Sequence, residues 1–134
     1  MKRLNSNMVC VDTSFLVALE RGDVGTVEKM QELEECGEVI YTTAVTVAEY
    51  YRGAYGSKDR ARAIREVKAL LDRVAILDLD YESGKIWGEL AHSLKSYTIG
   101  DRDLFIASIA LSNKQTLITR NKKHFERVPG LQVE

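Results

Sequence analysis

The sequence holds a single proline in 134 residues, and its apolar share of 45% sits beside a mixed charge population. That composition excludes collagen-like, disordered and low-complexity chains. Cysteine is scarce as well. Cys10 stands in an apolar run, Cys36 at a helix end, and no CxxC spacing links them, so both read as reduced structural thiols in an intracellular, cytoplasmic setting. The two histidines, His92 and His124, stand too far apart for an HExxH pair. Excess charge of either sign is missing too, the formal net charge being -1. No overall field would draw in a polyanion, and nucleic-acid binding would rest on local basic patches or a bound cation. Long apolar runs are also absent. The opening MKRLNSNMVCVDTSFLVAL has the outline of a signal peptide, but Asp12 breaks its apolar stretch, and nothing else approaches the roughly 18 apolar residues of a membrane span. The expectation is a protein neither exported nor membrane-bound, folded as one domain over residues 1–134 without disulfide or structural metal.

What is present is an alternation of short apolar runs with helical periods. Met8 to Val11 reads as a buried strand, and Asp12-Thr13-Ser14 supplies a helix start for Phe15 to Leu19. Val24 to Cys36 carries Val27, Met30 and Leu33 at helical spacing, closed by Gly37. Glu38 to Thr42 is a second strand, after which Thr43 or Thr46 caps a helix that carries Glu49, Tyr51 and Ala54. Lys58 to Arg73 is amphipathic, with Ile64, Val67, Leu70 and Leu71 on one face. Val74 to Leu79 is a third strand, Ser83 to Tyr97 a helix, and Thr98-Ile99-Gly100 an interruption. Asp101 reads as the cap of a helix from Asp103 to Ser112 that is apolar almost all round. Thr116 to Thr119 is a fourth strand and Leu131 to Val133 a short fifth. Short continuous strands between helices predict a mostly parallel sheet covered on both faces, an α/β/α arrangement.

Ligands of such sheets sit outside the carboxyl ends of the strands. Asp12 directly follows a strand, and two readings fit it: a helix cap, or a carboxylate compensated by a cation or donor. Glu49 lies against the apolar residues Ala44, Val45, Val47 and Ala48, or else pairs with Arg52 or Arg65 at the surface. Asp103 enters the first turn of a buried helix, with Asp101 assigned to capping. Three carboxylates gathered at one sheet edge repel and raise one another's pKa unless a cation lies between them. Oxygen ligands without Cys or His at ligand spacing favour Mg²⁺ or Mn²⁺ over zinc. Arg102, Arg120, Lys122 and Lys123, with His124 and Arg127, flank these acids either as phosphate contacts or as a solvated loop. Tyr50, Tyr51 and Tyr55 suit base stacking, or core and dimer packing.

These residues carry a family resemblance over nearly the whole chain. VCVDTSFLVAL, TTAVTVAEYYRGAY and IGDRDLFIASIAL resemble, in order, the three acidic motifs of the PIN domain, and TLITRNKKHFERVPGLQV resembles the closing segment of its VapC-type toxin branch. The resemblance implies a three-layer fold around a five-stranded mostly parallel sheet. It also implies Mg²⁺- or Mn²⁺-dependent cleavage of RNA to 5′-phosphate and 3′-hydroxyl ends, a homodimer, and inhibition by a small antitoxin protein. Residue by residue, Asp12, Glu49 and Asp103 match the acidic positions, and Thr13 matches a supporting hydroxyl. Asn121 stands at a fourth position that is often Asp. There it ligates only through its carbonyl or orients a water, which points to one metal; read structurally, it caps the KKHF turn.

On this reading Asp12 and Asp103 bind the metal and Glu49 acts through a water or deprotonates it. Two other strand-Asp chemistries lack their marks. An aspartyl-phosphate phosphatase needs a second Asp where Ser14 stands, and a phosphate-accepting signalling domain needs an acidic pair before the strand-end Asp. The alternative that stays open is a catalytically silent PIN-like domain that binds protein or RNA.

Overall fold

The computed structural model describes residues 8–94 and 99–134. Strand β1 (Val9–Val11) is wholly buried, as a continuous apolar run covered on both faces must be. Helix α1 (Thr13–Glu20) starts directly from it because Asp12, in extended conformation, accepts a hydrogen bond from the Phe15 amide. Asp23 starts α2 (Val24–Glu35) in the same way, taking both the amide and the hydroxyl of Thr26. The chain leaves α2 through Gly37 at φ +72°, a left-handed conformation that glycine adopts without a Cβ penalty. Strand β2 (Ile40–Thr43) passes without a loop into α3 (Ala44–Tyr55), capped by Thr43. Then follow α4 (Arg60–Leu71), β3 (Ala75–Leu77) and α5 (Tyr81–Ser93), the last opened by a reciprocal Asp80–Ser83 capping box. Helix α6 (Asp101–Ser112), strand β4 (Thr116–Ile118) and the short α7 (Lys122–Phe125) complete the order.

The sheet is parallel throughout, in the order β3-β2-β1-β4. Successive β1 side chains point to opposite faces. Val9 and Val11 join Phe15, Leu16, Met30, Leu33 and Leu70 beneath α1, α2 and α4. Cys10 faces the other way, into Leu90, Leu104, Ile106, Ala107, Ala110 and Phe125 from α5, α6 and α7. Burial of each large aliphatic or aromatic side chain contributes about 1.5–3 kcal/mol. The expected α/β/α layering is therefore present, and α6 is buried on several sides as its composition implied. No helix among the described residues is long and apolar enough to cross a membrane.

Three expectations need correction. The sheet has four strands rather than five: the segment after Gly130 meets β4 through one bridge, Leu117 to Val133, too few paired residues for a strand. Asp101 does not cap α6. Gly100 occupies that position in extended conformation, no side chain caps the helix, and Asp101 lies in its first turn. Of the two caps expected for α3, Thr43 fills the position. Cys36, at the end of α2, is exposed and free rather than packed, whereas Cys10 is buried. Of the expected helix running to Tyr97, the described residues are helical to Ser93 with Leu94 as the cap; residues 95–98 lie outside them.

Candidate active site

Parallel strands bring their carboxyl ends to one edge, so the residues just after β1, at the end of β2 and after β4 lie side by side. After β1 comes Asp12, only 3% exposed. Its Oδ1 accepts from the Phe15 amide at 2.9 Å and from Ser14 Oγ at 2.7 Å, and its Oδ2 accepts from Thr119 Oγ1 at 2.6 Å. Each hydroxyl has one hydrogen, and both point at the carboxylate. Ser14 Oγ and Thr119 Oγ1 in turn accept from the backbone amides of Arg120 and Asn121 at 3.0 Å each. Burial nevertheless holds the Asp12 carboxyl above its ordinary range. These hydrogen bonds work in the opposite direction, and the charge of Asp103 adds to the upward push.

A second set of hydroxyls holds Glu49. Thr13 Oγ1 donates to Glu49 Oε1 at 2.7 Å, and lies 3.0 Å from Thr46 Oγ1, which is 3.3 Å from Thr43 Oγ1. With one hydrogen per hydroxyl and the Thr13 proton committed to Glu49, the chain runs in one sense, Thr43 to Thr46 to Thr13 to Glu49. Glu49 Oε2 pairs with Arg102 Nη1 at 3.2 Å, not with Arg52 or Arg65. Asp103, in the first turn of α6, takes His124 Nε2 at 3.0 Å through Oδ2. Thus the two outer carboxylates each have a nitrogenous partner, whereas Asp12 has only uncharged donors.

Next to Asp12, through its neighbours Thr13 and Ser14, opens a cleft of about 1090 Å³, lined also by Glu49, Asp101, Asp103, Arg21, Arg102 and Arg120 among others but not by Asp12 itself. Of the basic residues expected near the acids, Arg102 and Arg120 reach it. Lys122 and Lys123 are exposed on α7 and do not line it. Asn121 stands at the start of α7 without a capping bond from its side chain, contrary to the capping reading, and touches the site only through its backbone amide. Tyr50 packs against the core, and Tyr51 and Tyr55 lie 6.2 Å apart between ring centres.

The donor set is anionic oxygen, which suits a hard cation such as Mg²⁺ or Mn²⁺, and a buried carboxylate without a cationic side chain fits a site that takes its positive charge from outside. Among the described residues no three His, Cys, Asp or Glu side chains are grouped to hold one ion; Glu49 and Asp103 are turned to Arg102 and His124 instead. Ser14, Thr119 and Thr46 escaped the sequence reading as supports of the site. Thr119 was hidden because the run Thr116 to Thr119 reads as strand to its last residue, whereas β4 ends at Ile118 and leaves Thr119 at the strand's carboxyl end, as Asp12 is at that of β1.

Comparison with known proteins shows the chain's family. The PIN domain family model matches residues 9–131. Ribonuclease VapC1 of Haemophilus influenzae (strain R2866) is 39% identical over 125 residues, which cover 91% of this chain and 92% of the relative. Among solved structures, VapBC2 from Rickettsia felis bound to a DNA fragment from their promoter matches with a TM-score of 0.85 at 29% identity, covering 95% of this chain and 98% of that one. VapBC-1 from nontypeable Haemophilus influenzae matches with a TM-score of 0.85 at 30% identity, covering 94% and 96%. With the family model matching residues 9–131 and a VapC relative 39% identical over nearly its whole length, the chain belongs to the PIN-domain family, among the VapC proteins.

Proposed function

We propose that the chain is a metal-dependent endoribonuclease, the toxin of a toxin–antitoxin pair, acting in the cytoplasm as a homodimer and restrained by a small antitoxin. The observation that carries this reading is the buried Asp12 next to Thr13 and Ser14, which line a cleft together with Glu49 and Asp103, with Arg102 and Arg120 at the same opening. Similarity to a VapC ribonuclease and to VapBC assemblies supports both the activity and the partner.

Asp12 and Asp103 are the residues to hold Mg²⁺ or Mn²⁺, with Glu49 close by. A bound cation there supplies an acidified water and neutralises charge at the phosphate. The protein's own part is positioning. Ser14, Thr119 and the Phe15 amide fix Asp12 in one rotamer, and Thr13 aims Glu49 into the cleft. Glu49 takes the proton of the attacking water as the water oxygen bonds to phosphorus and the bond from phosphorus to the 3′-oxygen breaks. The departing 3′-oxygen gains a proton from solvent, leaving 5′-phosphate and 3′-hydroxyl ends. Arg102 and Arg120 are placed to hold the flanking phosphates.

The test is incubation of the purified protein with single-stranded RNA in Mn²⁺ or in chelator. Cleavage is expected only with the metal, and Asp103→Asn is expected to abolish it while circular dichroism stays unchanged. Full, metal-independent activity of an Asp12→Asn/Asp103→Asn double variant would overturn the reading. RNA binding in Mn²⁺ with no cleavage would instead identify a silent PIN-like binding module.

A further inference from the structure

The two outer carboxylates already have partners, and the one at Glu49 has a particular geometry. Glu49 Oε1 is fixed by Thr13, while Oε2 meets Arg102 Nη1 at 3.2 Å. The Glu49 side chain is 22% exposed and that of Arg102 67%. The glutamate is held in place, and the arginine reaches it from the solvent side on a flexible stem rooted in the first turn of α6. Arg102 also lies where two concavities meet. It lines the cleft next to Asp12 and a neighbouring groove of about 740 Å³ between α1, α3 and α4, which share Thr13, Val17 and Glu49 as well.

A guanidinium on Glu49 Oε2 and a divalent cation held by Asp12 and Asp103 close to the same carboxylate repel each other in a partly desolvated site. Each weakens the binding of the other. A guanidinium displaced from Glu49 remains in the cleft next to the place where a phosphodiester would lie, and a planar fork of donors suits phosphate oxygens.

We propose that Arg102 is a stand-in cation: it neutralises Glu49 while the site holds no metal, yields to the metal when one binds, and is thereby transferred to an RNA phosphate. The inference rests on the metal-dependent reading of this site. Linkage makes the exchange reciprocal. Metal binding frees Arg102 for RNA, and RNA phosphate, by drawing Arg102 away, tightens the metal. Arg102 is thus a positioning residue that couples the two ligands. In the metal-free protein it also relieves the repulsion that Glu49 would otherwise exert on its acidic neighbours.

The experiment is calorimetric titration with Mn²⁺ of the wild type, Arg102→Gln, Arg102→Lys and Arg120→Gln, repeated with a 5′-phosphorylated RNA dinucleotide present. Removing the competitor should tighten Mn²⁺ binding about three- to tenfold in Arg102→Gln, with Arg102→Lys between that variant and the wild type. Arg120→Gln removes the same charge from the same cleft without freeing Glu49, and should shift the affinity by less than about twofold. Saturating Mn²⁺ should tighten dinucleotide binding in the wild type, and this coupling should be several-fold smaller in Arg102→Gln, where only the direct attraction between metal and phosphate remains. Unchanged or weaker Mn²⁺ binding by Arg102→Gln, set against clear binding by the wild type, would overturn the inference and leave the metal site standing. Absence of Mn²⁺ binding by the wild type would instead remove the metal-dependent reading, and the inference with it.

Discussion

Thr119 Oγ1 donates to Asp12 Oδ2 at 2.6 Å, so the residue after β4 holds the carboxylate after β1. The bond joins neighbouring strands beside the cleft and lies in the core. Thr119→Val keeps the shape and removes the donor, leaving one carboxylate oxygen short of a partner. The loss of a hydrogen bond to a buried charged group should destabilise the protein by about 1–3 kcal/mol at pH 7, read from urea unfolding curves. An unchanged midpoint would show that this bond contributes nothing.

The raised pKa of Asp12 sets a pH dependence of known sign. Its folded value lies above the ordinary 3.8, so between those two values the folded protein binds more protons than the unfolded chain. The contribution of Asp12 to stability is therefore full below the unfolded pKa and declines as pH rises through the folded one. Asp12→Asn lacks this decline. Its stability relative to wild type, followed by urea unfolding from pH 3.5 upward, should increase with pH and then level off. A difference independent of pH would contradict the assignment.

Thr13→Val severs Glu49 from its hydroxyl chain while leaving the α1 cap on Asp12 intact. The expected result is a drop of about tenfold in kcat with KM little changed, because one positioning hydrogen bond is worth about 1 kcal/mol or slightly more. Single-turnover RNA cleavage measures it. A change confined to KM would place Thr13 in substrate binding instead.

Arg120 lines the cleft, whereas Lys122 and Lys123 do not. Arg120→Gln should weaken RNA binding and reduce the slope of log affinity against log salt by about 0.7, as expected for one lost phosphate contact on a single strand. A Lys122→Gln/Lys123→Gln double variant should leave that slope nearly unchanged. Fluorescence anisotropy across a salt series separates the two, and a larger effect from the lysines would move the RNA path onto α7.

On the proposed reading Mn²⁺ binds the folded chain in preference to the unfolded one, and it should then stabilise the fold. With Mn²⁺ at a hundred times its Kd the gain is about 2.7 kcal/mol, visible as a rise in Tm that chelator reverses. Asp12→Asn should lose most of that rise even though it folds.

Much of this site was legible because each acid follows a local pattern. Asp12 ends an apolar run, Glu49 interrupts an apolar helix face, and Asp103 opens a helix too apolar for solvent. The layering followed from short strands alternating with helices. The pairings were not legible. Arg102 rather than Arg52 or Arg65 reaches Glu49 because α3 and α6 pack together, a tertiary fact that spacing along one helix does not encode. Asp101 resembled a cap because Asp is a favoured capping residue, but helix entry was decided by the extended backbone of Gly100. The missing fifth strand reflects the same limit, since Leu131 to Val133 has the composition of a strand and too few backbone partners to become one.

Strand β1 lies inside the sheet, paired on both sides, and the Asp12 amide extends the pairing by donating to the Ile118 carbonyl at 3.1 Å. Amides paired within a central strand are expected to open only with the whole chain, so hydrogen exchange should be slowest along β1 and at Asp12. Exchange should be faster in the first turn of α6, which carries Asp103 and the largely exposed Arg102. The carboxylate after β1 is thereby tied to the part of the sheet that yields last.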